Sequence, residues 1–326
     1  MKRQAMKKIL VIGANGQIGT ELTTALVKLH GAQQVVASDI QALGRHQELA
    51  YEKLDVTDAK RLAEVVQQHD IGEIYHLAAA LSAKGEEHPE WAWNLNMTGL
   101  LNVLEVARQA KLSKVFWPSS IAAFGPSTPR DNAPQVGAMD PKTVYGISKL
   151  AGEHWCSWYA EKYGMDIRSL RYPGLISYSA EPGGGTTDYA IQALFSAADG
   201  SAFTSFLGEE STLPMMYMPD AVRATIELMS APKENLKTAG SYNLAAWSFS
   251  PRELVCVIQQ RVPAFQAAYK PDFRQAIADA WPRSIDDSSA RAEWAWRPAY
   301  SLSEMVDDML THLAGRKSLS QEKQVA

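Results

Sequence analysis

A glycine-rich turn directly after a short apolar run is the feature that most constrains this chain. Lys8–Ile12 is apolar and rich in branched side chains, as in a strand buried on both faces of a sheet. Glycines follow at Gly13, Gly16 and Gly19, and a helix is predicted over 17–29. The first glycine permits a tight turn, the second lets backbone approach a pyrophosphate, and the third lets the helix pack on the strand. The sequence therefore predicts a dinucleotide-binding unit with the phosphates at the amino end of the helix.

A carboxylate follows this unit at a spacing that bears on the choice of dinucleotide. A second apolar run, 35–38, ends at Asp39, twenty residues beyond Gly19. A carboxylate there can accept hydrogen bonds from both hydroxyls of an adenosine ribose, and it would repel a 2′-phosphate. The sequence therefore favours NAD over NADP as the cofactor, although Arg45 in the following loop is a residue type that accommodates such a phosphate.

Tyr145 and Lys149 are four residues apart, so on a helix they meet on one face. A phenol with an ordinary pKa of about 10 is a poor base at neutral pH, but a lysine cation beside it lowers that pKa. The pair can therefore act as a proton-transfer base, although the same spacing also arises by chance in surface helices. Upstream, the apolar run 114–117 leads to Ser119 and Ser120, which either contact a substrate or merely cap the strand end.

Together, the Gly-x-x-Gly-x-x-Gly turn and the Tyr-x-x-x-Lys pair resemble the short-chain dehydrogenase/reductase superfamily, in particular its extended branch. Segment 54–58 resembles the adenine-contacting segment of that branch, and 74–80 resembles the strand and loop beneath the cofactor. The resemblance implies a catalytic set of Ser120, Tyr145 and Lys149. The NAD contacts that it implies are Gly13, Asn15, Gly16, Gln17, Ile18, Gly19, Asp39, Asp55, Val56, Leu77, Ala78, Ala79, Tyr145, Lys149, Tyr172 and Ile176.

Two residues in these segments also have local interpretations. Asp58 is predicted to be the N-cap of the next helix, which leaves Asp55 as the ligand contact. His76 lies within an apolar strand, so we interpret it as a packed core histidine rather than a catalyst.

The carboxy-terminal half carries motifs that generic dinucleotide-binding packing does not require. Residues 170–190, 213–220 and 280–286 are similar to segments of the metal-independent, short-chain-type L-threonine 3-dehydrogenases, and the similarity runs from about 7 to 313. It implies NAD-dependent oxidation of L-threonine at its β-hydroxyl to 2-amino-3-oxobutyrate, with Tyr145 as the base. The implied substrate contacts are Ser82, Ser119, Tyr145, Gly185, Thr186, Thr187 and Trp281.

The glycine and threonine loop 183–187 favours a small substrate on chemical grounds. Its amides and hydroxyls can reach the charged groups of an amino acid, whereas a UDP-sugar needs arginines for its pyrophosphate. A UDP-sugar 4-epimerase or related nucleotide-sugar enzyme, which uses the same Tyr and Lys, is the alternative, and a nonenzymatic NAD-sensing regulator is a third. Trp281 can be plain core and Ser82 an ordinary loop residue, while Asp188 either binds the substrate ammonium or caps a helix.

Apolar runs near 8, 34, 73, 114 and 167 alternate with helix-length segments, which predicts an α/β fold with a doubly wound parallel sheet, the Rossmann fold. We expect 1–180 to form the NAD-binding domain, with a returning strand near 240–246. Residues 181–314 then form a smaller, discontinuous, mainly substrate-binding region. We also expect Asp220 to cap the helix that runs to about 229, and the polar tail 315–326 to be disordered.

Composition excludes several other classes of protein. The chain has 326 residues, 46% of them apolar, and a net charge of −4. Its basic residues are dispersed, which argues against nucleic acid, and no apolar run approaches the roughly 18 residues that cross a bilayer. Residues 1–6 are too short for a secretory signal, and no His, Cys, Asp or Glu cluster has metal-ligand spacing. Cys156 and Cys256 lie in separate predicted helices, so we expect no disulfide and a reducing cytoplasm.

The resemblance also implies a homodimer. In the superfamily, the helices that correspond to about 98–110 and 145–163 pair with their copies in a second subunit. Here both carry broad apolar faces, which include Leu101, Leu104, Trp155 and Trp158. The same faces can instead pack against the chain's own sheet.

Overall fold

The computed structural model describes residues 7–179, 183–238 and 240–325, with side chains as far as Gly315. The strands are β1 Lys8–Ile12, β2 Val35–Asp39, β3 Ala50–Lys53, β4 Ile71–His76, β5 Lys114–Phe116, β6 Ser119–Ser120, β7 Ile167–Tyr172, β8 Gly174–Ile176, β9 Phe203–Ser205, β10 Leu213–Tyr217, β11 Ser241–Asn243, β12 Trp247–Phe249 and β13 Ala267–Tyr269. The helices are α1 Gln17–His30, α2 Ala59–Gln68, α3 Ser82–Glu87, α4 Pro89–Gln109, α5 Val144–Tyr163, α6 Tyr189–Asp199, α7 Met218–Ser230, α8 Pro251–Gln259, α9 Arg274–Asp279, α10 Ser288–Trp294 and α11 Leu302–Val325.

The main sheet is parallel and has the strand order β11, β7, β5, β4, β1, β2, β3, with β6 beside β7. From β1 the chain moves outward through β2 and β3, and it then returns to β4 on the other side of β1. This reversal opens a crevice beyond the carboxyl ends of β1 and β4, where ligands of such sheets bind. The predicted doubly wound α/β fold is confirmed, and β11 is the returning strand expected near 240–246.

Helices cover both faces of the sheet, because its strands are apolar on both sides. On one face α1 packs against α7, and Leu22 and Leu26 of α1 are fully buried there. On the other face α4 lies between α2 and α5. The residue that begins α2 was correctly predicted, since the Asp58 side chain accepts a hydrogen bond from the Arg61 amide at 2.9 Å.

One strand was not expected from the sequence, and one expected helix cap is corrected. The edge strand β3 was not predicted, because Ala50–Lys53 is polar and only partly buried and so lacks the apolar run of its neighbours. Asp220 is not the cap of α7, since that helix already begins at Met218. The Asp220 carboxylate is fully buried and accepts hydrogen bonds from the Ala299 and Tyr300 amides at 3.0 and 3.2 Å. It therefore fixes the segment before α11 rather than the start of α7.

The carboxy-terminal part adds two small sheets, β12–β10–β8 and β13–β9, and a core shared by α6, α8 and α11. The helix α11 extends to Val325 and so includes most of the tail for which we expected disorder. The expected boundary at 180/181 and residues 1–6 lie outside the described residues. Within those residues no helix could span a membrane, and no group of three or more His, Cys, Asp or Glu is placed to hold a metal.

Candidate active site

A cleft of about 780 Å³, counting its open mouth, lies at the carboxyl ends of the central strands. It is bounded by the start of α1, the loop after β4, the end of β5 with β6, the start of α5, and the loop before α6. The predicted site residues that line it are Gln17, Ile18, Leu77, Ala79, Ser82, Ser119, Ser120, Tyr145, Lys149, Tyr172, Gly185, Thr186, Thr187 and Trp281. The fold therefore brings the predicted catalytic and substrate residues together in one place.

Helix α5 carries Tyr145 and Lys149 in its first two turns. Its N-cap is Thr143, whose hydroxyl accepts a hydrogen bond from the Gly146 amide at 3.0 Å. Gly146 has to be glycine, because a Cβ there would lie 2.1 Å from the Ala122 carbonyl oxygen. The helix consequently sits directly against the segment that follows Ser120.

Lys149 is buried beneath the cleft and has fixed contacts. Its Nζ donates a hydrogen bond to the Pro118 carbonyl at 2.6 Å. The same ammonium lies 4.6 Å from the centre of the Trp117 ring and 5.5 Å from that of Tyr145. The lysine is therefore held against both the strand end and the phenol.

Burial is the main influence on the pKa values of Tyr145 and Lys149 in the protein chain alone. It raises the pKa of Tyr145 to about 12, although a hydrogen bond with Ser120 opposes the rise. It lowers the pKa of Lys149 to about 7, against the raising effect of Cys156 and Glu153. The expectation that Lys149 favours the phenolate concerns the site with NAD bound and stays a prediction, because in the chain alone burial is the main influence on the pKa of Tyr145.

The three glycines of the first turn have different surroundings. Gly13 has a φ of +86°, which favours glycine, and a Cβ at Gly19 would lie 2.1 Å from the Gly13 carbonyl oxygen. Gly16 is not strained, and a Cβ there would make one tight contact, 3.3 Å from that same oxygen, which a shift of a few tenths of an ångström relieves. The protein itself therefore gives little reason for glycine at position 16, whereas a pyrophosphate at the amino end of α1 does.

Asp39 is buried at the end of β2 beside the glycine turn. Its carboxylate accepts hydrogen bonds from the Asn15 amide at 3.1 Å and the Gln41 amide at 3.2 Å. The Asn15 side chain in turn accepts from the Arg45 amide and donates to the Leu43 carbonyl. These bonds join the loop after β2 to the glycine turn and place a carboxylate where a ribose is expected.

The residues around the turn fit a dinucleotide. Among the described residues, the buried amide nitrogen of Gln17 has no hydrogen-bond partner, and Gln17 lines the cleft at the first turn of α1. An oxygen-rich ligand at this helix end would satisfy it. Asp55 is exposed on the neighbouring loop and accepts hydrogen bonds from Thr57, while Val56 is buried beneath it.

The opposite wall of the cleft is built from the predicted substrate residues. The hydroxyls of Ser82 and Thr186 are 3.1 Å apart, and both residues are buried. Asp188 accepts hydrogen bonds from the Gly184 and Gly185 amides at 2.9 and 2.7 Å, so its carboxylate folds the glycine loop. It stands at the N-cap position of α6 but makes no capping bond there. Trp281 both lines the cleft and packs in the carboxy-terminal core, so its role as a substrate contact stays a prediction.

Three further residues can be placed. Ile176 is fully buried in the carboxy-terminal core and does not line the cleft. Tyr172 does line it, and its hydroxyl is hydrogen-bonded to Thr225. His76 is 1% exposed, and burial lowers its pKa to about 3, which confirms the interpretation as a neutral core histidine.

Sequence reasoning missed a buried ion pair behind the cleft. Glu153 of α5 and Arg171 of β7 form two hydrogen bonds of 2.9 and 2.7 Å, and Ser119 also donates to Glu153. The only local signal was that Glu153 follows Lys149 by four residues and so shares its helix face. Its partners lie on other elements, which local patterns do not connect.

Comparison with known proteins identifies the family of this fold and site. A model of the NAD dependent epimerase/dehydratase family matches residues 9–245. The chain belongs to the NAD-dependent epimerase/dehydratase family. Over 316 residues, 96% of this chain and 98% of its relative, it is 48% identical to an uncharacterised epimerase/dehydratase of Staphylococcus saprophyticus.

Solved structures give closer functional parallels. A GalE-like L-threonine dehydrogenase from Cupriavidus necator, in its holo form, superposes with a TM-score of 0.93 at 59% identity, covering 94% of this chain and 99% of that one. A monomeric L-threonine 3-dehydrogenase from a metagenome, in its apo form, has a TM-score of 0.91 at 45% identity, covering 94% and 98%. The resemblance predicted from the motifs is confirmed, and the family supports an NAD-type cofactor.

Proposed function

We propose that this protein is an NAD-dependent L-threonine 3-dehydrogenase that oxidises the β-hydroxyl of L-threonine to 2-amino-3-oxobutyrate. The observation that carries the proposal is the convergence of two sets of residues on one cleft. Ser120, Tyr145 and Lys149 line one side, and the Ser82–Thr186 pair lines the other. Relatives of the same fold at 45% and 59% identity are L-threonine dehydrogenases.

The proton chemistry is assigned to Tyr145. Ser120 and Tyr145 hold the β-hydroxyl of the substrate, and Tyr145 removes its proton. Because burial raises the pKa of the phenol to about 12 in the chain alone, the phenolate requires nearby positive charge when the site is assembled. Lys149 supplies that charge in its ammonium form, which a neighbouring phenolate favours in turn, and its bond to the Pro118 carbonyl holds it in place. Bound NAD supplies the acceptor for the hydride that leaves the β-carbon.

The charges in the cleft favour an amino acid over a nucleotide sugar. Among the described residues that line it, Lys149 is the only cation and Asp188 the only carboxylate. A sugar nucleotide would bring a second pyrophosphate, which proteins ordinarily neutralise with arginines. An amino acid instead requires neutral donors for its carboxylate, and the hydroxyls of Ser82, Thr186 and Thr187 supply such donors.

One assay tests the proposal. The purified protein is mixed with NAD and, in separate reactions, L-threonine, L-serine and UDP-galactose, and the near-ultraviolet absorbance of reduced nicotinamide is followed. We expect growth with L-threonine, and we expect Tyr145→Phe to bind NAD normally but to lose most turnover, about a hundredfold or more. No absorbance change with L-threonine would refute the proposal, and near-normal turnover by Tyr145→Phe would remove this residue as the base.

We also propose that the protein forms a dimer through α4 and α5. Leu104 is fully buried in the chain's own core, so part of the predicted apolar face is already covered. Trp155, Trp158 and Tyr163 of α5 nevertheless remain 39%, 41% and 42% exposed, and Trp91 of α4 is 50% exposed. The rings of Trp155, Trp158 and Tyr163 contact one another, and exposed aromatic surface of this kind commonly marks a protein interface.

Light scattering during size-exclusion chromatography tests the assembly. The dimer requires a mass twice that of the chain, and Trp155→Glu with Trp158→Glu should halve it. Phe273→Glu is the matched control, because Phe273 is 55% exposed on a different surface. A monomeric mass for the unmodified protein would contradict the proposal, as in the relative that is described as monomeric.

A further inference from the structure

A buried acid lies directly behind the catalytic strand end. Glu153 is on α5, one turn beyond Lys149, and is 6% exposed. Its Oε1 accepts a hydrogen bond from the Ser119 hydroxyl at 2.5 Å. Ser119 itself lines the cleft. The mechanism proposed above does not use Glu153, although one hydroxyl connects it to the site.

Both carboxylate oxygens of Glu153 are paired with a buried guanidinium. Arg171 donates from Nε to Oε1 at 2.9 Å and from Nη2 to Oε2 at 2.7 Å, and each side chain of the pair is only 7% exposed. The remaining guanidinium nitrogen of Arg171 donates to the Gln135 carbonyl and to Asn243 Oδ1 at 2.9 and 3.0 Å. An ionised carboxylate accepts hydrogen bonds and donates none, so the direction of the Ser119 bond is fixed.

This direction determines what Ser119 can offer to a ligand. A serine hydroxyl has one hydrogen and two acceptor lone pairs, and the hydrogen is committed to Glu153. We propose that Glu153 is a positioning residue: by taking the hydroxyl hydrogen of Ser119, it makes that serine an obligatory acceptor, which binds the ammonium group of the amino-acid substrate. The proposal rests on the proposed L-threonine dehydrogenase function.

The ammonium is the substrate group that matches such an acceptor. The carboxylate of L-threonine carries only acceptors, so it is unfavourable beside Ser119. The proton of the β-hydroxyl is directed to Tyr145. The ammonium carries three donors, and one of them can reach a serine that cannot donate. Ser119 thereby helps to set which way the α-carbon faces.

The same network reaches the opposite wall of the cleft. Asn243, which accepts from Arg171, donates to the Ala133 carbonyl at 3.2 Å and to the Asp286 carbonyl at 3.0 Å. Asp286 lies five residues beyond Trp281 on the same segment. One chain of buried polar contacts therefore runs from Ser119 to the segment that carries Trp281.

The variant Glu153→Gln tests the inference, because the amide keeps the shape of the acid but can donate to Ser119 and release its hydrogen toward the cleft. We expect kcat/KM for L-threonine to fall about 10- to 100-fold, mainly through KM, while the KM for NAD stays unchanged. Glu153→Asp should restore part of the loss, since it keeps the negative charge. An equal rise in both KM values would indicate a general structural role and would overturn the proposal.

A double-mutant cycle with Ser119→Ala makes the test specific. If Glu153 acts through the hydrogen of Ser119, Glu153→Gln should cost no more than about twofold once that hydroxyl is absent. Losses that multiply in the double variant would overturn the inference. As a second probe, 3-hydroxybutyrate lacks the ammonium, so its trace turnover should be insensitive to Ser119→Ala.

Two controls separate the possible causes of failure. Melting temperatures show whether the Glu153→Gln variant folds. If this change destabilises the protein by leaving the Arg171 guanidinium buried without a partner, the double variant Glu153→Gln with Arg171→Gln removes both charges. The double replacement should show the same rise in the KM for L-threonine, and a normal KM would refute the role of Glu153. Turnover of L-threonine by the wild-type protein tests the proposed function separately. If the wild type is active but the losses in the double-mutant cycle are independent of each other, only this inference is refuted. If the wild type is inactive, both are refuted.

Discussion

Gly16→Ala is the substitution that best separates what the fold needs from what the cofactor needs. An added Cβ would meet only the Gly13 carbonyl oxygen, at 3.3 Å, and the backbone at φ −70° and ψ 177° is accessible to alanine. A contact that tight requires a shift of only a few tenths of an ångström. The expected change in the free energy of unfolding is therefore within about 1 kcal/mol. Alanine is a poorer N-cap than glycine, but it also lowers the conformational entropy of the unfolded chain, and the two effects oppose each other.

The cofactor should be affected far more strongly than the fold. The methyl group would stand at the amino end of α1, where the pyrophosphate approaches the backbone. Loss of one backbone hydrogen bond to a charged phosphate costs about 1.5–3 kcal/mol of binding free energy, so we expect the Kd for NAD to rise by about 10- to 100-fold. Calorimetric titration with NAD measures this effect, and thermal unfolding without NAD measures the stability.

Gly19→Ala is the matched control. There the Cβ would lie 2.1 Å from the Gly13 carbonyl oxygen and 2.8 Å from the Ala14 Cα, both of them backbone atoms. We expect this variant to lose about 1–3 kcal/mol of stability even without cofactor. Unchanged NAD affinity in Gly16→Ala, or a stability loss equal to that of Gly19→Ala, would refute the assignment of Gly16 to the phosphates.

Two further predictions concern α5. Burial lowers the pKa of Lys149 to about 7 from an ordinary 10.5, so between these values the unfolded chain holds the proton and the folded chain does not. The free energy of unfolding of the wild type should therefore rise with pH across this window, relative to that of the Lys149→Met variant. Urea titrations at several pH values measure both free energies, and a difference between the two proteins that does not change with pH would contradict the prediction. Thr143→Ala should lower the free energy of unfolding by about 1 kcal/mol, because it removes the hydrogen bond to the Gly146 amide. Thr143→Ser keeps a capping hydroxyl and should have a melting temperature near that of the wild type. Equal losses of stability in the two variants would exclude capping as the cause.

The sequence predicts those features that are local or that repeat a known pattern. The glycine turn, Asp58 as the N-cap of α2 and the alternation of central strands with helices all follow from spacing and apolar periodicity. Strand β3 does not, because a polar edge strand depends on pairing with β2 rather than on its own composition. Asp220 suggested a cap from its position, but the amides that donate to its carboxylate belong to Ala299 and Tyr300, 79 and 80 residues away.

The polar framework of the site was the least predictable part. The bond from Ser119 to Glu153 joins residues 34 positions apart, and that from Arg171 to Asn243 joins residues 72 apart. The pKa of Tyr145 shows the same limit, since the helical spacing indicates the neighbouring lysine but not the burial that raises this pKa. Burial of a titratable group is set by the assembled walls of the cleft and not by the motif that contains it.

Transfer of deuterium from L-threonine labelled at the β-carbon is the most direct test of the central claim. The labelled substrate is incubated with NAD and the protein, and the reduced cofactor is analysed by mass spectrometry. The account predicts that the reduced cofactor carries the deuterium, and that Tyr145→Phe forms almost none of it. Reduced cofactor without deuterium, or no reduced cofactor from the unmodified protein, would contradict hydride transfer from the β-carbon in this cleft.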